Sequence, residues 1–407
     1  MPAHTVQSAV HHCIGKQFAE RVTKEGQPTM KTRMLQVLSV MMVLGLVLSA
    51  CQPQIVEVVK EVPVEKIVEV EKIVEVEKEV VKECDIPQEI TFQAGFLPQG
   101  NISFAAAYVA KEQGYFEEVC LDVTIEFASP GSGEQWQRLV GKDTEFTTSA
   151  ASSFVRQIAG TPDLPFRAVT LFGHEGDHGL LVLSDSGISS ISDLAGLKVG
   201  FKGASLAPPW LVAMLDAERM TLDDVELIQV GFDPRVVLPE FGEGRVDALQ
   251  VYKSNEPDTL QRAGYDVTVF KPEDSDVHFL GQAYVTHTDY IRDDPEMVRA
   301  FVRATMRGMQ FILDPANKDV VTDNVMVYAG EDADRDHNEF IWTTEVEYVQ
   351  SPSTEEIGVG YASYQQWVTM MDYMVSFGSL EAQLDVSAVW DQQFVQSIYE
   401  NGELIWP

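Results

Sequence analysis

Residues 172–183 read FGHEGDHGLLVL, and within them His174-Glu175-Gly176-Asp177-His178 spells H-E-x-x-H, the spacing of zinc peptidases. That chemistry needs a helix, where two His one turn apart share a face and bind the metal while the Glu acts as general base. Glycines at 173, 176 and 179 oppose a helix, because each interior Gly costs about 1 kcal/mol against Ala. The next Glu after Glu175 is Glu218 and the next His after His178 is His278, so no third ligand follows closely. The competing reading is a glycine-rich joint that feeds a strand, LLVLSDS (180–186), with no metal. The segments on either side decide between the two, and with them the fold.

From Pro87 onward, strand and helix signals alternate. EITFQAGF (89–96) is a strand, SFAAAYVAKEQGYF (103–116) a helix ending near Gly114, and LDVTIEFA (121–128) a second strand. GEQWQRLVGKD (133–143) and SSFVRQIAG (152–160) are helices around the short EFTTSA (145–150), and FRAVTLF (166–172) is a strand. After the joint, KVGF (198–201), VELIQVG (225–231), VDALQVY (246–252) and DVTVFK (266–271) repeat the pattern. Ser192 or Asp193 is read as the cap of the turn before KVGF, a helix starts near Ser205 to Pro209, and DPRVVLPEFGEGR (233–245) is read as another. This is βαβ grammar and predicts an α/β fold of doubly wound sheets. After FLGQAYVTHTDYI (279–291) the pattern turns helical to the end, including TTEVEYV (343–349), GYASYQQWVTMMDYMVSFG (360–378) and VSAVWDQQFVQSIYENG (386–402). The Met-rich TMMDYM (369–374) is read as helix core.

The N-terminal end carries different information. Lys31 and Arg33 precede MLQVLSVMMVLGLVLSA (34–50) and then Cys51. The apolar run is shorter than the ~20 residues of a bilayer-spanning helix and ends on small residues, as a secretory signal does. Leu48-Ser49-Ala50-Cys51 resembles a bacterial lipobox, in which the Cys is lipidated and becomes the new N-terminus. Met30 suffices to begin such a signal, so 1–29 are read as an over-extended start, 30–50 as the lipoprotein signal peptide, and 51–87 as lipidated Cys plus spacer. In that spacer EKIVEV (65–70) repeats at 71–76, with no aromatics to close a core.

The remaining chain, roughly 320 residues, suffices for two lobes of ordinary size. The formal net charge of −34 disfavours nucleic acid and anionic lipid as partners, because both need a basic footprint. An anionic ligand would need a local basic pocket. Beyond Cys51, the thiols are Cys84 before the first strand and Cys120 before the second. If those strands are parallel neighbours, their starts share a sheet edge and a Cys84–Cys120 bridge is feasible; two free thiols are the alternative.

AAAYVAKEQGYFEEVCLDVTIEF (105–127), SISDLAGLKVGFKG (190–203), EGRVDALQVYKSNEP (243–257) and DDPEMVRAFVRATMRGMQFILDP (293–315) together resemble one family. They are similar to solute-binding proteins that serve ABC importers for thiamine pyrimidine precursors, alkanesulfonates, nitrate and riboflavin. The resemblance spans nearly all of 88–407 and implies a two-lobed, type II periplasmic-binding-protein fold, each lobe a doubly wound mixed sheet, joined by two hinge strands. It implies 88–179 as the first part of lobe 1, 180–283 as lobe 2, and 284–407 as the helical second part of lobe 1. Cys120 stands where the family usually has Gly, which supports a local bridge. The implied protein is a monomer held at the extracytoplasmic face of the cell membrane by its lipid alone, without a cofactor, working with a separate permease and ATPase.

Open α/β sheets bind ligands beyond the carboxyl ends of their strands. That rule selects Phe96, Leu97, Pro98, Gln99 and Asn101 after the first strand, and Ser149, Ser152 and Ser153 at a helix start. It further selects Lys202, Gly203, Ser205 and Trp210 after KVGF, and Tyr252, Asn255 and Glu256 after ALQVY. The resemblance makes YKSNEP (252–257) the strongest of these. Phe96 and Trp210 have a competing role as core or rim aromatics, Asn255 and Glu256 as helix caps, and Lys202 as a solvated charge. His174 and His178 would meet a ligand at the cleft rim.

Catalysis finds no support. Ser152 lacks the glycines of G-x-S-x-G, and the chain has no P-loop, no C-x-x-C and no metal-spaced Cys/His cluster. One lysine among aromatic, amide and hydroxyl groups fits a planar neutral heterocycle better than a sulfonate. Riboflavin and a thiamine pyrimidine precursor, hydroxymethyl- or formylamino-pyrimidine, are the expected ligands, with riboflavin favoured because the spacer and acidic domain resemble lipoproteins of riboflavin importers. A pyrimidine-synthesising enzyme of the same family is the competing class, which the export signal and sparse Cys oppose.

Overall fold

The computed structural model describes residue 84 and residues 86–202, 207–236 and 246–407. Cys51, the signal and the spacer up to residue 83 lie outside the described residues, as do Gly203, Ser205 and most of the helix expected at 233–245.

Alternating apolar residues build β1 (Gln88–Ala94), whose inward Ile90, Phe92 and Ala94 are buried. The all-buried stretch Ile102–Ala110 makes α1 (Ile102–Glu112) a central helix, and β2 (Leu121–Phe127) returns beside β1. There follow α2 (Glu134–Gly141), β3 (Phe146–Ala150), α3 (Ala151–Gly160) and β4 (Phe166–Phe172). Then come β5 (His178–Leu183), β6 (Lys198–Phe201), α4 (Pro209–Ala217), β7 (Glu226–Gln229), β8 (Ala248–Tyr252), α5 (Glu256–Arg262) and β9 (Val267–Phe270). The chain continues with β10 (Gln282–His287), α6 (Pro295–Leu313), α7 (Lys318–Ala329), α8 (Arg335–Val346) and α9 (Tyr364–Ser376).

The strands form two mixed five-stranded sheets, in the orders β2-β1-β3-β10-β4 and β7-β6-β8-β5-β9. In the first, β1 runs parallel to β2 and β3 while β10 is antiparallel to β3 and β4. In the second, β6 runs parallel to β7 and β8 while β5 is antiparallel to β8 and β9. The chain passes between the sheets twice, at 173–177 and at 271–281, and the strand that follows each crossing is the antiparallel one. The H-E-x-x-H residues therefore occupy a crossing and the first residue of a strand, with no helical turn.

The first sheet is covered by α1 and α6, which approach so closely at Gly308 that a Cβ there would strike the Ala106 carbonyl. Phe301 of α6 lies flat on Phe146, ring centroids 3.9 Å apart, sealing helix to sheet. Met370, Met371 and Met374 of α9 are buried in the same core.

Two local expectations need correction. The turn before β6 spans Ile191–Leu194, and its cap is Ser190, whose amide donates to Asp193 Oδ2 at 2.9 Å; Asp193 closes the turn from within. Residues 386–402 do not form one helix. Their central part pairs with the open edge of β4, Ala168 N donating to Val389 O and Asp391 N to Ala168 O, both 2.9 Å. An unpaired edge of backbone donors and acceptors outcompetes helical hydrogen bonds there.

The parallel register Gln88↔Leu121 brings the starts of β1 and β2 together. Cys84 and Cys120 are bridged, their Cα atoms 5.5 Å apart. Cys120 has φ 64°, the left-handed region that glycine tolerates best. Cys84→Ser is expected to lower unfolding stability by about 2–4 kcal/mol, and adding Cys120→Gly to recover about 1 kcal/mol by relieving the backbone. Urea unfolding of the three proteins measures both steps.

Candidate functional site

Three segments converge where the sheets face each other. The loop after β1 carries Phe96, Gln99 and Asn101. Gly95 N donates to Thr148 Oγ1 at 2.8 Å, and a side chain at Gly100 would strike the Asn338 carbonyl, so this loop is pressed onto α8. Asn101 is buried; its Nδ2 donates to Glu345 Oε1 at 2.7 Å and its Oδ1 accepts from Gln99 Nε2 at 2.5 Å. The Phe96 ring lies 5.6 Å from that of Phe232, across from the other sheet.

The loop after β8 supplies Tyr252 to Glu256. Glu256 Oε2 accepts from the Tyr252 amide at 2.7 Å, which folds the loop back on itself and starts α5. Glu256 Oε1 takes the Lys202 ammonium in an ion pair whose side chains are 4 % and 7 % exposed. The solvated role open to Lys202 is thus overturned: the return of the loop places a carboxylate over it, and a buried ammonium needs one. Asn255 sits at the helix cap position but makes no cap bond; its Nδ2 donates to Gln99 Oε1 at 3.2 Å. Ser254 Oγ donates to Glu345 Oε1 at 2.7 Å.

The crossing supplies Asp177 and His178. The His178 ring lies 5.8 Å from Trp210 and 4.5 Å from Tyr252, so three rings run in a row along the second sheet. His178 and Trp210 line a small recess with Ser152, Ala150, Gly176 and Phe279, whose cavity volume is about 10 Å³. Asp177 contacts His178 Nδ1 at 2.7 Å and accepts from Gln282 Nε2 at 3.0 Å. Burial pushes the Asp177 carboxyl up, but His178, Gln282 and Lys253 together bring it below its ordinary value. Enclosure, then Asp177, Glu256 and Glu345, raise the Tyr252 phenol.

Of the ligand residues read from sequence, Phe96, Asn101, Ser152, Lys202, Trp210, Tyr252, Asn255 and Glu256 all fall on these three segments or on the strand and helix ends beside them. Ser153 does not line the recess; it is solvent-exposed. His174 is buried, takes its Nδ1 to Gln366 Nε2 at 2.7 Å, and gives its amide to Tyr348 O at 2.8 Å, so it faces α9 rather than a rim. Burial lowers its pKa to about 4, leaving it neutral. Among the described residues no group of three or more His, Cys, Asp or Glu is arranged to hold a metal ion.

Glu345, Tyr348 and Lys253 were not foreseen. Lys253 pairs with Glu273 at 2.6 Å and lies 4.3 Å from the Tyr348 ring centre, joining the sheets. A signal for Glu345 did exist: Asn338, Ile341, Trp342 and Glu345 share one buried face of α8, and a carboxylate on such a face implies a partner network.

This geometry defines a class, a two-lobed α/β protein of the periplasmic-binding-protein fold. A family described as NMT1/THI5 like matches residues 101–318. The riboflavin-binding protein RibY of Chloroflexus aurantiacus is 26% identical over 314 residues, 76% of this chain and 86% of that protein. The formylaminopyrimidine-binding protein of Halalkalibacterium halodurans is 28% identical over 209 residues, 51% of this chain and 62% of that protein. The solved structure of a putative sulfonate-binding protein SsuA from Methylobacillus flagellatus superposes with a TM-score of 0.56 at 16% identity, covering 76% of this chain and 93% of that one. The chain belongs to the NMT1/THI5-like family. Both sequence relatives are named as binding proteins.

Replacing Glu256 by Gln strands the Lys202 ammonium in the cleft, and a loss of about 3–5 kcal/mol in unfolding stability is expected. Adding Lys202→Met should restore most of it, because an apolar side chain of similar volume replaces the orphaned charge. Denaturant titration of wild type, single and double variants checks this.

Proposed function

We propose that the protein is the lipid-anchored, extracytoplasmic substrate-binding component of an ABC importer and captures a small, planar, uncharged heterocycle, riboflavin before a thiamine pyrimidine precursor. Lys202 carries this reading: the lysine placed to meet an anion is already neutralised by Glu256. Lys253, the other buried cleft lysine, is held by Glu273. A sulfonate or nitrate would find no free cation among the described cleft residues and would face Asp177, Glu256 and Glu345 instead. A neutral heterocycle meets aromatic rings for its faces and carboxylate, amide and hydroxyl groups for its N–H and carbonyl edges.

Riboflavin comes first because the relative named for it aligns along more of the chain than the one named for formylaminopyrimidine. Lobe boundaries at 179/180 and 283/284, lipidation at Cys51, a monomeric state and delivery to a separate permease and ATPase complete the proposal.

Titration of flavin fluorescence with the purified protein is the test, in parallel with calorimetry using hydroxymethyl- and formylamino-pyrimidine. Quenching by wild type is expected, weakened roughly tenfold in Trp210→Ala, the worth of one aromatic contact. Heat with a pyrimidine and no flavin quenching would transfer the assignment to that ligand; preference for an alkanesulfonate would end the neutral-ligand reading.

A further inference from the structure

Glu345 lies at the C-terminal end of α8 where the sheets meet, and it is 3 % exposed. Its Oε1 accepts from Asn101 Nδ2 and Ser254 Oγ, both at 2.7 Å, and its Oε2 from the Ile102 amide at 2.6 Å. Two of these donors belong to the first lobe, at the loop after β1 and the start of α1. The third belongs to the loop after β8, on the other sheet. The titratable groups facing it are Asp177 of the crossing, Tyr252 of β8 and Tyr348 just beyond α8. His178 is held by Asp177, and Lys253 by Glu273, so neither supplies a salt bridge to Glu345.

We propose that Glu345 is a positioning residue for ligand capture, tying loop 96–101 of one lobe to loop 252–256 of the other, so that the lobes close on a carboxyl group without a cationic partner. The inference rests on the binding-protein reading above and adds a regulation of the same cleft.

A carboxylate buried without counter-charge is disfavoured, and hydrogen-bond donors offset that only in part. Burial, followed by the charge of Asp177, raises the Glu345 carboxyl from 4.5 to about 7 against the pull of its three donors. In the protonated form the Ser254 hydroxyl can reverse and accept, so the bridge survives. Opening the lobes hydrates the group, which lowers its pKa, because relief of burial, the largest cause of the raised value, outweighs the loss of the Ser254 donor that pulls the other way. Closure therefore takes up a proton. Its contribution is fully present below the open-state pKa and is lost as pH rises through about 7. One proton limits the change to about tenfold in affinity per pH unit.

The test uses the full chain as wild type, Glu345→Gln and Glu345→Asp. Riboflavin binding is measured calorimetrically from pH 5 to 8 in two buffers of different ionisation heat, which counts protons directly. Ligand-free hydrogen exchange of segments 101–105 and 252–256 is followed at the same pH values, each wild-type rate divided by that of Glu345→Gln so that intrinsic chemistry cancels. The expected result is wild-type affinity falling by roughly tenfold or more between pH 5 and 7.5, with proton uptake on binding. Glu345→Gln should be independent of pH, and Glu345→Asp should keep the slope at weaker affinity. Wild-type binding and exchange flat in pH, or the same slope in Glu345→Gln, overturns the proposal. If riboflavin does not bind the wild type, the ligand assignment fails while the exchange ratio still decides for or against Glu345.

Discussion

Two chain crossings have to fit side by side between the sheets, and the rest of the molecule is arranged around that constraint. Gly281 N donates to Gly173 O at 3.0 Å, and Ala151 N donates to Gly281 O at 2.8 Å, so the two crossings and the start of α3 form one hydrogen-bonded knot. A Cβ at Gly281 would run into the Phe172 carbonyl, and Gly173 has φ 95°. Both positions exclude larger residues for backbone reasons. What first spells a metal motif is therefore a joint: Gly173 turns the chain, Asp177 and His178 emerge on the cleft side, and His174 is turned back into the first lobe.

From that knot the polar groups of the cleft follow. Each crossing delivers an antiparallel strand, so the loops after β1, β3 and β8 all end at the same gap. Buried charge there is tolerated only when paired or well bonded. Glu256 takes Lys202, Asp177 takes His178 and Gln282, and Glu345 takes three neutral donors. The pairs leave the site with hydrogen-bonding capacity and with both of its buried lysines held by carboxylates.

Much of this was legible in the chain. Alternation of strand and helix patterns revealed both sheets, and the rule that ligands gather beyond strand carboxyl ends selected Asn101, Ser152, Trp210 and the 252–256 loop, which the fold places where the sheets face each other. What failed was non-local. The 386–402 segment has helical composition but meets the free edge of β4, whose demand for backbone partners no local pattern reports. Lys202 could not be seen as buried without knowing that Glu256 folds back over it. Glu345 binds a residue 244 positions away, and only its place on an otherwise buried helix face hinted at it.

The cleft holds buried carboxylates from three sources: Asp177 from a crossing, Glu256 from the second lobe and Glu345 from the first. In a chain of net charge −34 the surrounding field adds to their repulsion. Two of the three have a close partner beside them, Lys202 for Glu256 and His178 for Asp177, each on the same lobe or crossing as the acid it contacts. Glu345 finds part of its hydrogen bonding on the opposite lobe, at Ser254. N–H donors facing this gap lower the mutual repulsion of its carboxylates, whereas a further negative charge raises it.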